Sequence, residues 1–345
     1  MEQSILQLHP GLIWGFGLTV IIMLLLDLGV FNKKSHIVSS KEATIWTVVW
    51  ISLAMIFSGV VYYVFNQDAG GHTTAIEKFT QLQAAYWIEK ALSVDNLFVF
   101  ILVFSYFKVP RELHHKVLFW GILGALIFRA IFIFAGVGLI NVTYLNPILD
   151  FFGVTVLPWN INLVLTAFGL FLVFAGIKSW GSGDDDEDED FSETAGARLV
   201  KKFWKVSDNY DHGKFFTVQN GMKLATPLLV VVAVIEFTDV LFAVDSIPAI
   251  FAISKDPFIL YTSNIFAILG LRSLYFLLSN FIHMFSKLPY GLSIILTFIG
   301  VKMIISPWYH IPSPVSLGIV GGILILSVLV SILFPEKEAD EKISV

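Results

Sequence analysis

Nine apolar stretches of about 20 residues or more divide this 345-residue chain: 11–31, 43–65, 82–107, 115–139, 160–180, 222–253, 257–280, 288–306 and 313–334. About 20 helical residues cross the roughly 30 Å hydrocarbon core of a bilayer. Only helices or closed barrels satisfy the backbone there. The pattern therefore predicts an all-α, polytopic membrane helical bundle of about nine spans, a single transmembrane domain over residues 1–345. The charged fraction of 14% fits that reading, since soluble domains carry about 25%. The first run, near Leu12 to Phe31, is long enough to span and lacks a basic start, so it reads as a retained helix.

Basic residues cluster in alternate connections. Lys33, Lys34 and Lys41 follow span 1; Lys108, Arg111 and Lys116 follow span 3; Arg198, Lys201, Lys202, Lys205 and Lys214 separate spans 5 and 6. Basic loops stay in the cytoplasm. This predicts an N-terminus outside and a C-terminus in the cytoplasm. Residues 140–159, with Asn146-Pro147 and Pro158-Trp159, read as a re-entrant segment or a structured loop. The piece 181–221 opens with Gly181-Ser182-Gly183 and then seven acidic residues, Asp184 to Asp190. Like charges in a block repel one another, so we expect 181–221 to be a disordered cytoplasmic loop and a place for a protein partner. Within it, Lys201-Lys202-Phe203-Trp204-Lys205 has the mixture of basic and aromatic residues that rests on anionic lipid.

The chain has no cysteine, which excludes thiolate metal sites and thiol redox chemistry. It has no P-loop, nucleophile motif or zinc-hydrolase spacing. We expect no enzyme activity, no tightly bound cofactor and no nucleic-acid partner. The partner it must have is the lipid bilayer.

Five carboxylates interrupt two of the apolar runs: Glu89 and Asp95 in span 3, and Glu236, Asp239 and Asp245 in span 6. An ionised acid at mid-membrane costs about 2.5–3.5 kcal/mol on insertion scales and marks a functional candidate. The two segments match as Ser93-Val94-Asp95-Asn96 and Ala243-Val244-Asp245-Ser246, with Glu89 and Glu236 brought together by a gap of three residues. Ile122-Leu123-Gly124 recurs as Ile268-Leu269-Gly270, each followed by an arginine, Arg129 or Arg272. Phe174 to Lys178 recurs as Phe298 to Lys302. Spans 3–5 and 6–8 thus read as three-helix repeats. Their opposite orientations make them inverted repeats, a recurring design of secondary transporters.

Glu236 and Asp239, three residues apart, share a helix face. Asp245 lies nine residues beyond Glu236, and Glu89 and Asp95 are six apart; neither pair aligns. One ion therefore needs ligands from both repeats or from broken helices, and Pro248 predicts a break near Ser246. Asn96, Ser246 and Thr238 are neutral oxygen candidates. Oxygen ligands suit Mn²⁺, Ca²⁺ or Mg²⁺ and do not separate manganese from calcium. Burial raises carboxylate pKa values, so protons would compete for the same groups and metal–proton exchange follows. The opposing reading pairs the five acids with Lys90, Arg129 and Arg272 as a structural network, but five acids against three cations leave negative charge over. Arg129 and Arg272 then serve as counter-charges. Lys178 and Lys302, near helix ends, are expected to snorkel to the interface, and Asn264 to make an interhelical hydrogen bond.

Glu89 to Leu97, E-K-A-L-S-V-D-N-L, and Glu236 to Ala249, E-F-T-D-V-L-F-A-V-D-S-I-P-A, resemble the two signature segments of the TerC/Alx family of integral membrane proteins. The resemblance runs from span 1 to span 9 and leaves out the acidic loop. That family is similar to the LysE-type transporters, which are also built from inverted three-helix repeats. The resemblance implies a bacterial inner (plasma) membrane protein that exports a divalent metal, chiefly manganese. It puts the metal on Glu89, Asp95, Asn96, Glu236, Asp239 and Asp245. Members also carry names for tellurium resistance and redox modulation. The alternatives it leaves are a metal-handling scaffold that supplies exported metalloproteins, or a tellurium-resistance-associated protein without transport.

Overall fold

Each of the nine apolar runs contains helix in the computed structural model of the chain. The structure describes residues 5, 9–31, 39–68, 71–152, 157, 159, 161–181, 191–219, 221–280 and 287–334, without the side chains of 27–31, 95, 181, 244, 245 and 280. Its helices are α1 (Pro10–Phe31), α2 (Ser40–Asn66), α3 (Gly71–Tyr106), α4 (Arg111–Val142), the short α5 (Leu145–Phe151), α6 (Leu163–Gly181) and the short α7 (Ala195–Phe203). After a hairpin of β1 (Phe216–Gln219) and β2 (Met222–Ala225) come α8 (Pro227–Phe251), α9 (Pro257–Leu269), α10 (Leu271–Asn280), α11 (Leu288–Ile305) and α12 (Ser313–Leu333). Among the described residues, six helices are long and apolar enough to cross a membrane, and α9 with α10 makes a seventh bent by 43°. Helix α3 fills another expected range but carries Glu77, Lys78, Glu89, Lys90 and Asp95, which no test of apolarity alone passes.

Local chemistry sets the helix starts. Ser39 accepts from the Glu42 amide at 3.3 Å, an N-cap with a glutamate three residues on. Asp256 accepts from the Phe258 amide at 2.9 Å, ahead of Pro257, which is pre-set for a first helical turn. The outer helices are patterned inside out. On α12 the buried residues are Ser313, Ser316, Val320, Ser327 and Ser331, whereas Ile325, Leu326, Leu329, Ile332 and Leu333 are exposed. Small residues let helices approach within a membrane, where lipid is as apolar as leucine. The same logic joins α6 to α11. A Cβ on Gly300 would lie 2.6 Å from the Gly169 carbonyl, and one on Gly169 would lie 2.9 Å from the Gly300 carbonyl.

The acid-bearing helices run in opposite senses. Ser254, just past α8, donates to Gln81 near the start of α3 at 3.1 Å. Tyr210, before α8, donates to the Phe107 carbonyl just past α3 at 2.7 Å. Burial pushes the Tyr210 phenol up to about 12, so it stays a donor at any ordinary pH.

Three expectations change. Residues 222–225 are strand, and α8 begins at Pro227. The loop 181–221 is not disordered throughout. Its acidic run, within 182–190, lies outside the described residues, but from Phe191 onward the chain is folded. Thr194 caps α7, and Gly196 sits so close to α8 that a Cβ would overlap the Ala233 carbonyl. Gly213, at φ +81°, makes the turn whose carbonyl accepts from Lys116 at 2.7 Å. The cap remains basic and half-apolar on its outside, with Leu199, Phe203, Trp204 and Val218 exposed. Finally, α8 continues through Pro248 to Phe251. Proline there falls in the last turn, where one lost hydrogen bond ends little. The broken span is α9–α10, at Gly270. Within 140–159 the described residues form α5 and a structured loop, with Asn146 bonded to Leu157 at 3.0 and 3.1 Å.

Candidate cation site

Helix α3 is buried almost continuously from Thr80 to Leu97, so its charges face protein. Glu89 is fully buried, as is Arg129 of α4. The guanidinium joins four helices: Nη1 donates to Glu89 Oε1 and, at 2.6 Å, to Asn264 Oδ1 of α9. Its Nη2 donates to Asp239 Oδ1 of α8 at 3.2 Å. Glu236, one turn before Asp239, presses its carboxylate against the backbone of Gly124 in α4.

Three carboxylate oxygens in this group are buried and accept no hydrogen bond from any described residue: Glu89 Oε2, Asp239 Oδ2 and Glu236 Oε2. Unpaired buried acceptors carry a desolvation cost of about 1–3 kcal/mol each, more when charged. They come from both acid helices. Among the described residues no three acidic or histidine side chains converge closely enough to hold one metal ion. The acids are gathered by Arg129, whose guanidinium already lies between Glu89 and Asp239.

The remaining expected ligands are placed as follows. The side chains of Asp95 and Asp245 lie outside the described residues. Asn96 and Ser246 are buried, with Asn96 Nδ2 and Ser246 Oγ making no hydrogen bond to a described residue. Thr238 spends its hydroxyl proton on the Val234 carbonyl at 2.8 Å. Arg272 is fully buried at the start of α10 and has partners of its own. Lys90 donates to the Ala267 carbonyl at 3.3 Å. That carbonyl is freed by the break at Gly270, and a cation suits a helix C-terminus. Asn264 does bond between helices, and its partner is the central arginine.

Two signals in the sequence went unread. The Asp95–Asp245 match is an offset of 150, and the same offset carries Glu89 to Asp239 without a gap. Glu89 and Asp239 are the two carboxylates that share Arg129; matching Glu89 with Glu236 hid this. The recurring Ile-Leu-Gly triplets also have a reciprocal use. Gly124 of α4 receives Glu236 from α8, and Gly270 receives Lys90 from α3, whose Nζ would lie 2.8 Å from a Cβ there. Gly124→Ala would push its methyl into the Glu236 carboxylate. Because that is the end of a flexible side chain, the expected stability cost is below about 1.5 kcal/mol. Thermal unfolding of the variant checks this.

Near the other ends of these helices lies a cavity of about 800 Å³, bordered by Glu77, Lys78, Asn141, Asp256, Lys302 and His310 among others. Lys302 is buried there and donates to Ser316 at 2.8 Å. It does not snorkel, because α12 covers it; Lys178 is exposed.

A sequence profile described as the integral membrane protein TerC family matches residues 74–339. The "Uncharacterized membrane protein STKORF319" of Myxococcus xanthus is 43% identical over 96% of each chain. "Putative membrane-bound redox modulator Alx" of Salmonella typhi is 42% identical over 93% of this chain and 94% of its own. An "Uncharacterized membrane protein" of Rickettsia bellii is 35% identical over 93% of this chain and 97% of its own. No solved structure matches the chain. Profile and relatives cover most of the length, carboxylates and arginine included: the chain belongs to the TerC family of integral membrane proteins.

Proposed function

We propose that this protein is a secondary transporter that exports a divalent cation from the cytoplasm through the carboxylates of α3 and α8. One observation carries the reading: three buried carboxylate oxygens, from two helices of opposite sense, that no described residue satisfies. Hard oxygen donors suit Mn²⁺ or Ca²⁺, and the family resemblance favours manganese. Nine spans, inverted repeats and an outside N-terminus complete the picture, supported by the antiparallel α3 and α8 and by the recurring triplets. On this orientation the 800 Å³ cavity is the outward vestibule. Oxygens that release a metal take up protons readily when buried, so proton entry accompanies metal exit.

The relatives' name mentions redox modulation, but this chain has no cysteine to exchange electrons through thiols. The test is purified protein in liposomes containing a manganese-sensitive dye, with a pH-sensitive dye in a parallel set. Metal flux above that of empty liposomes, with protons moving the other way, is expected. Flux equal to that of empty liposomes rejects transport; metal flux without proton movement rejects exchange alone.

A further inference from the structure

We propose that Arg129 is a tethered counter-cation: its guanidinium occupies the seat between Glu89 and Asp239 when no metal is bound, and metal binds by displacing it. The inference rests on the carboxylates being a cation site, as proposed above, and concerns how that site is kept when empty.

The geometry is that of a stand-in. Guanidinium and carboxylate form their strongest pair through two parallel hydrogen bonds. Arg129 instead reaches two different carboxylates with one contact each, Nη1 to Glu89 and Nη2 to Asp239. Each carboxylate keeps one oxygen without a described partner, and Arg129 Nε lacks one as well. A strut selected for strength would not leave three groups half-used in a buried place. A single positive charge shared between two acids on opposing helices is what a divalent ion would replace. Arg129 also explains why no three acids converge on one point among the described residues: the guanidinium fills the space between them. Asn264 Oδ1, at 2.6 Å from Nη1, is a neutral oxygen already aimed at the same place, and it becomes a candidate ligand once the arginine withdraws. The consequence is an empty carrier that is never a bare cluster of buried acids.

The experiment measures thermal unfolding of the purified full-length protein in chelator and then across a manganese titration, for wild type, Arg129→Gln and Arg129→Lys. In chelator, Arg129→Gln is expected to unfold at a lower temperature than wild type, because two buried carboxylates lose their cation. Manganese is expected to stabilise it more than wild type, with a half-effect concentration at least tenfold lower, because the internal competitor is gone. Arg129→Lys, whose ammonium cannot bridge both carboxylates as the fork does, is expected to fall between the two. It serves as the deciding variant if Arg129→Gln does not fold. A half-effect concentration in the folded variant equal to or above wild type overturns the proposal and leaves Arg129 as a fixed strut. No manganese stabilisation of wild type overturns the metal-site reading itself, which keeps the two failures distinct.

Discussion

Asp239→Asn is expected to cut manganese flux in liposomes by at least about 100-fold, the upper range for disturbing a metal site's polar support, while the protein still folds. The side chain is buried, one of its oxygens holds Arg129 at 3.2 Å, and the other has no described partner. The amide keeps the shape and removes the charge that a divalent ion needs. Folding survives because Arg129 retains Glu89 and Asn264. Glu89→Gln, at the other carboxylate that shares Arg129, is expected to behave alike. Thr238→Val is the comparison: its hydroxyl is committed to the Val234 carbonyl, so flux should stay within about twofold of wild type, the scale of a surface change of ±0.5 kcal/mol. Normal flux in Asp239→Asn removes this residue from the site.

Gly300→Val is expected to have the largest effect on the fold. Helices α6 and α11 touch through backbone, and any Cβ at 300 meets the Gly169 carbonyl at 2.6 Å and the Val173 amide nitrogen at 2.8 Å. Neither atom can swing aside, so the helices must separate. Overpacking of this kind costs about 1–3 kcal/mol and occasionally more. The thermal midpoint in detergent should fall by several degrees, about 2–4 °C for each kcal/mol in a chain of 150–250 residues and somewhat less in a longer one. Gly318→Val on α12, where nothing lies within 4 Å, should leave the midpoint unchanged. Equal effects at the two positions would mean that valine's helix propensity, and not the contact, decides.

These expectations show which parts of the molecule were legible in the residues. The helical runs were, because a bilayer leaves a run of about twenty apolar residues one regular structure. The acids were legible as a set, because each costs free energy that only function or pairing offsets. The helix break was not. Pro248 suggested a break near Ser246 in span 6, yet α8 is continuous and the broken span is α9–α10, at Gly270, where Lys90 from another helix serves the Ala267 carbonyl. Gly124 ends the same triplet without breaking α4, so the difference is tertiary and no local pattern contains it. The folded cap was hidden for a different reason. Seven consecutive acids coloured the reading of the whole connection, although Thr194 and the small pair Gly196-Ala197 were there to cap a helix and dock it on α8. The role of Arg129 was half legible: an arginine in a span predicts a carboxylate partner, but not that one guanidinium would serve two acids from opposing helices.

The most direct measurement is equilibrium binding of Mn²⁺ to the purified protein, followed by the loss of the free-ion electron paramagnetic resonance signal, in wild type, Glu89→Gln and Asp239→Asn. One saturable site in wild type that is weakened in both variants is the predicted result, since the ion draws on a carboxylate from each acid helix. A site that keeps its full affinity in both variants contradicts the account.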